Sequence, residues 1–135
     1  MKKLLIALVI LALLQACGGR MGKKQNLDHT LYQYAKVMRW ADFDQAVNFI
    51  DPESEKDIKP TELELNRFKQ FGVSSYVPRP ILPGPDENSI LQTVELKLYN
   101  IHTKREKVVV DEQVWRYDED KKRWFLDSGL PKITH

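Results

Sequence analysis

Residues 89–101 read SILQTVELKLYNI, and no other stretch narrows the possible folds as much. Val94, Leu96 and Leu98 fall on one side of an extended chain, and Glu95 and Lys97 on the other. Such alternation marks a strand with one dry face and one wet face, so it belongs to an antiparallel sheet covered on one side only. Residues 105–118, REKVVVDEQVWRYD, are β-branched and aromatic, and suit the same sheet. Residues 68–77, with Phe71, Val73 and Tyr76, and residues 122–127, KRWFLD, supply two further runs. Polar tips at His102-Thr103-Lys104 and at Asp118-Glu119-Asp120-Lys121 join neighbouring runs into a meander of three or four strands. Prolines 80, 83 and 85 forbid a regular ladder between the first two.

The dry face needs a cover, and the chain supplies it upstream. Leu27, Leu31, Tyr34, Ala35, Met38 and Ala41 recur at spacings of three and four, the stripe of an amphipathic helix. Asp28 is placed to cap it. Asp42 caps a second helix whose buried face is Phe43, Ala46, Val47 and Ile50, and Asp51-Pro52 ends that helix. The expectation is a helix pair over 28–40 and 42–50, with Trp40 packed under the sheet. Thr61 and Glu64 fit a capping box for a short helix over 61–66. The fold class is therefore α+β: an N-terminal helix pair on a curved antiparallel sheet.

The start of the chain does not belong to that domain. Lys2 and Lys3 precede eleven unbroken apolar residues, 4–14. As a helix this run spans roughly 16 Å, about half a bilayer core, which suits a signal-peptide core rather than a mature membrane span. Leu14-Gln15-Ala16-Cys17 resembles a bacterial lipobox. The resemblance implies cleavage between Ala16 and Cys17, a thioether-linked diacylglycerol and an N-acyl chain such as palmitate on Cys17, and membrane attachment through these chains. Three chains make desorption negligible, since each buried CH₂ contributes about 0.8 kcal/mol. In a Gram-negative host, Gly18 after the cysteine implies the outer membrane, with the domain facing the periplasm. The expected organisation is a signal peptide over 1–16, a lipidated cysteine and flexible tether over 17–26, and one domain over 27–133.

Removing sixteen of 135 residues leaves 119, enough for one core. The whole chain has 21 Lys and Arg against 19 Asp and Glu; without Lys2 and Lys3 the two balance. Such neutrality argues against nucleic acid as a partner. Cys17 is the only cysteine, so the domain itself has neither thiol nor disulfide.

Residues 34–52, YAKVMRWADFDQAVNFIDP, and 115–131, WRYDEDKKRWFLDSGLP, resemble the two ends of small proteobacterial outer-membrane lipoproteins of unassigned role. Their domain is similar to the cone-shaped superfamily of nuclear transport factor and ketosteroid isomerase. That superfamily hosts enzymes, binders and scaffolds, so the likeness implies a fold and leaves the activity open.

An enzyme of this shape would need an ionisable group inside the cone. Asp111, mid-strand, is placed to point inward, and Tyr34, Tyr76, Tyr99 and Tyr117 are possible donors. Asp42 and Asp44 read as a cap and its solvated neighbour. His29, His102 and His135 have no metal-ligand spacing, and Asp118-Glu119-Asp120 lacks the ladder of a calcium loop, so neither metal nor cofactor is expected. Trp115, Trp124, Tyr117 and Trp40 are the candidate surface for an apolar ligand or partner, with Trp115 and Trp124 as a cross-strand pair. Their alternative is a sheet-packing cluster. The leading functional expectation is a lipid-anchored, non-catalytic domain that binds an envelope protein or a small apolar ligand. Its rivals are an isomerase- or dehydratase-like enzyme and an assembly factor that dimerises through the sheet face.

Overall fold

A computed structural model describes residues 22–133. The apolar run, Ala16 and Cys17 lie outside the described residues. Helix α1, Lys23–Arg39, is followed by α2, Phe43–Ala46, which runs into a 3₁₀ turn, Val47–Phe49. After an irregular stretch come α3, Glu62–Phe68, and strands β1, Phe71–Pro78, β2, Leu82–Pro83, β3, Ser89–Asn100, β4, Glu106–Asp118, and β5, Arg123–Leu126. The sheet is antiparallel in the order β1-β3-β4-β5, with β2 pairing β3 beside β1.

The sheet is curled into a half-barrel, and α1 lies in its concavity against β1 and β5. A bulge between Val73 and Ser75 interrupts the β1–β3 register. Such an extra residue bends a strand and raises its twist. Val94, Leu96 and Leu98 of β3 are wholly buried, while Glu95 between them is exposed, as the alternation requires. Tyr34 and Met38 of α1 are also wholly buried, so the helical stripe and the dry strand face form one core.

Several boundaries differ from expectation for identifiable reasons. Helix α1 begins at Lys23, inside the expected tether, with Gly22 rather than Asp28 at its N-cap. No side chain caps it. Instead Lys23 Nζ donates to Asn88 Oδ1 at 2.7 Å, Trp124 Nε1 donates to the Lys23 carbonyl at 3.1 Å, and Asn26 Nδ2 donates to the Lys122 carbonyl at 2.8 Å. These tertiary bonds hold the first turn, and nothing local signals them. Strand β1 starts at Phe71 rather than residue 68, because α3 extends to Phe68. The Thr61–Glu64 capping box is present in both directions. Asp42 caps α2 through the Gln45 N–H. Among the expected ladder-breaking prolines, Pro83 nevertheless sits opposite Ile90 in the two-residue strand β2.

Candidate functional site

Strand β4 turns Val109, Asp111, Gln113 and Trp115 into the concavity. Gln113 is the hub of a buried polar cluster. Trp115 Nε1 donates to its Oε1 at 2.9 Å, and its Nε2 donates to Asp111 Oδ2 at 2.9 Å and to the Tyr76 hydroxyl at 3.1 Å. Burial pushes the Asp111 carboxyl up to about 6, against the lowering effect of the Gln113 bond. Burial likewise pushes Tyr76 up to about 12 and Tyr34 well above the ordinary tyrosine range. Both phenols are neutral at physiological pH. The Tyr34 hydroxyl is buried with no hydrogen-bond partner among the described residues.

Asp111 is therefore the inward ionisable group anticipated from the sequence. It is able to exchange a proton near neutrality, but it is packed rather than open. Tyr34 lies 5.2 Å from both Phe49 and Trp115, ring centre to ring centre, and 6.5 Å from Tyr76, all edge to face. These rings fill the concavity of the sheet.

The open space is elsewhere. A cleft of about 580 Å³ runs between the irregular stretch, α3 and the C-terminal segment. That volume is within the range of small-molecule sites. Its floor is apolar: Ile58, Phe68, Phe71, Leu130 and Ile133. Its rim carries Lys59, Arg67 and Lys132 against Asp57 and Glu64. Glu64 is committed to the Thr61 N–H, which holds its carboxyl below the usual range. A shallower depression of about 350 Å³, lined by His29, Gln33 and Arg123 together with Val37, Phe49 and Trp124, lies along α1.

The walls of the cleft are tied to the sheet. The Val114 N–H donates to Ser128 Oγ at 3.0 Å where the C-terminal segment leaves β5. Gly129, at φ 77°, turns that segment against the Ile58 carbonyl. Asp51 accepts from the Glu53 N–H at 3.0 Å, Arg116 at 3.2 Å and Lys121 at 3.0 Å. Lys56 and Arg116 both pair with Asp127. Lys121 also reaches Glu53 at 2.8 Å, so three acids and three bases pin the stretch after α2 to β4 and β5.

The four expected surface aromatics do not form one surface. Trp115 is wholly buried and Trp124 nearly so, which is the sheet-packing arrangement. Trp115 stands opposite Leu126; the cross-strand pair is Tyr117 with Trp124, ring centres 5.3 Å apart, with the Lys23 ammonium over both rings. Trp40 does not pack under the sheet: it is 79% exposed. It sits two positions past Met38, more than half a helical turn away from the buried stripe. Tyr99 of β3 covers Gly72 across the strand pair and takes no part in the cluster. Asp118 Oδ1 accepts from the Asp120 and Lys121 N–H groups, so it closes its own turn.

The cleft residues escaped sequence reading because 53–67 has no dominant period. The capping box and Gly129 were its only local signals. Among the described residues no group of three or more metal-binding side chains converges, and no helix is long and apolar enough to cross a membrane. Neither a family model, nor a curated protein, nor a solved structure matches this chain.

Proposed function

We propose that this chain is an exported lipoprotein, attached by acyl chains on Cys17 to the outer membrane of a Gram-negative cell, whose periplasmic domain is a non-catalytic binder. The cleft between α3 and the C-terminal segment takes a small apolar ligand with an acidic head. The observation that carries this reading is the cleft's composition: an apolar floor beneath a rim of Arg67, Lys132 and Lys59, the last also donating to the Pro52 carbonyl, with one of its two acids already bonded to backbone. An acyl chain buried on the floor gains about 25 cal/mol per Å² removed from water, and a carboxylate or phosphate head gains charge-assisted bonds at the rim. The test is mass spectrometry of lipids co-purified with the full-length protein from detergent-solubilised membranes of the native host. An acidic amphiphile is expected near one per chain, and is lost in the double variant Arg67→Glu, Lys132→Glu. Recovery of no amphiphile, or one indifferent to those substitutions, contradicts the reading. The anchor is tested separately: Cys17→Ser should move the protein out of the membrane fraction.

One observation favours a second reading. Asp111 is the inward acid that an isomerase- or dehydratase-like enzyme would require. That reading needs Tyr34 or Phe49 to swing aside and admit a substrate, and is sunk if Asp111→Asn leaves any turnover found for the protein unchanged.

A further inference from the structure

Strand β4 has thirteen residues, and its β3 side is paired from Glu106 to Arg116. On its other side β5 covers only residues 115–118. The Val114 N–H goes to Ser128 and the Val114 carbonyl accepts from the Asp127 N–H, so even-numbered residues turn their backbone groups to this side. The N–H and C=O groups of Val108, Val110 and Glu112 thus line a seven-residue edge, 106–112, with no partner among the described residues. Val108 and Val110 are 56% and 59% exposed on the convex face. Exposed β-branched residues on an unpaired edge invite the addition of another strand.

The charges on this edge identify the added strand. Lys107 and Asp111 share the concave face, four residues apart. Asp111 is buried and has no cation within ion-pair distance among the described residues. We propose that residues 106–112 pair antiparallel with the same segment of a second copy about a two-fold axis at Val109, setting each Lys107 opposite the partner's Asp111. The backbone parity is correct, since Val108 then exchanges hydrogen bonds with the partner's Val110 and the reverse. Four valines meet on the convex face. Each Lys107 sits directly across from a carboxylate, at the Cβ separation of about 5 Å that cross-strand pairs share. Glu106 faces the partner's Glu112 at the two solvent-exposed ends, where water and salt screen the repulsion.

Neighbouring registers do worse. An axis at Val110 sets Lys107 against Gln113 and leaves Asp111 without a cation. An axis at Val108 sets Asp111 against Arg105 and Glu112 against Lys104, but Arg105 precedes the strand and Lys104 stands in the β3–β4 turn at φ 61°, so only residues 106–110 could pair. The axis at Val109 uses the whole edge. It is also distinct from a dimer through the convex sheet face, because Val77 of β1, exposed on that face, takes no part.

The test is sedimentation of the full-length protein in mild detergent over a range of concentrations, with variants. A reversible dimer is expected. Val110→Pro removes an N–H that points away from β3, so it should raise Kd at least about tenfold while melting stays cooperative. Glu112→Lys turns both end repulsions into attractions and should tighten the dimer about threefold to thirtyfold. Val77→Lys should leave Kd unchanged. A monomer at every concentration overturns the proposal, as does a dimer insensitive to Val110→Pro or broken by Val77→Lys. Weakening by Glu112→Lys overturns the register. Glu112 is exposed, so that variant remains decisive even if Val110→Pro fails to fold.

Discussion

Trp115 and Gln113 stand two residues apart on one face of β4, and the indole Nε1 donates to the amide Oε1 at 2.9 Å. An indole N–H only donates, so this bond fixes which way the amide points. The amide nitrogen must then face Asp111 and Tyr76, and it donates to both. Gln113→Leu keeps similar bulk but leaves the Trp115 N–H and Asp111 without their buried partner. The expected cost is about 2–4 kcal/mol. A urea midpoint equal to that of the wild type would contradict this arrangement.

Asp111 contributes to stability with an unusual sign. Its carboxyl sits near 6 in the folded chain, above the roughly 3.9 of an unfolded aspartate. Between those values the folded state holds more protons, so stability falls as pH rises from about 4 through about 6. Asp111→Asn keeps an oxygen for Gln113 and removes the charge. In dilute protein it should gain on the order of 2–3 kcal/mol at pH 7, since the shift is about two pKa units. The slope of stability against pH over this window should flatten. A stability loss at pH 7 would refute it.

Asp51 behaves oppositely. The Glu53 N–H, foremost, with Lys121 and Arg116 holds its carboxyl below the usual range, against the opposing effect of burial. Its contribution is present above about pH 4 and is lost as pH falls through the lowered value. Asp51→Asn should therefore cost about 1–2 kcal/mol at pH 7 and progressively less in acid. Thermal melts at neutral and acid pH check the sign.

Gly129 turns the C-terminal segment into the cleft wall at φ 77°. An added Cβ would strain that conformation and come within 3.0 Å of the Ile58 carbonyl. Gly129→Ala should cost about 1–2 kcal/mol and speed proteolysis of the C-terminal segment. Protease resistance equal to the wild type would show that the turn is not under strain.

Trp40→Ser should change stability by less than about 0.5 kcal/mol, because the side chain packs on little. Acrylamide should quench one tryptophan of three in the wild type and none of the remaining two in the variant. Quenching of more than one would place Trp115 or Trp124 in solvent.

Periodicity made the architecture legible. The three-and-four stripe of α1, the alternation in β3, the Asp42 cap and the Thr61–Glu64 box all appear at or near their expected positions. So does the inward turn of Asp111, because strand parity dictates it. What escaped depends on contacts between distant residues. Lys23 starts a helix because Asn88 and Trp124 hold it, 65 and 101 positions away. Trp115 and Trp124 miss each other because pairing register, invisible within either strand, sets Tyr117 against Trp124. The cleft is built from segments with no period of their own, held by ion pairs that the sequence leaves unassigned.

The position of Lys23 has a directional consequence. Its ammonium is fastened beside Asn88 and Tyr117, at the end of the sheet where β3 begins and β4 finishes. The cleft borders Phe71, which pairs with Asn100 where β3 finishes. Entry of the chain and mouth of the cleft therefore occupy opposite poles of the domain. Under the anchor proposed at Cys17, the domain would hold that mouth outward, toward the aqueous space. On that proposal the acidic amphiphile would arrive from there, already detached from the bilayer, rather than being lifted from the lipid directly beneath.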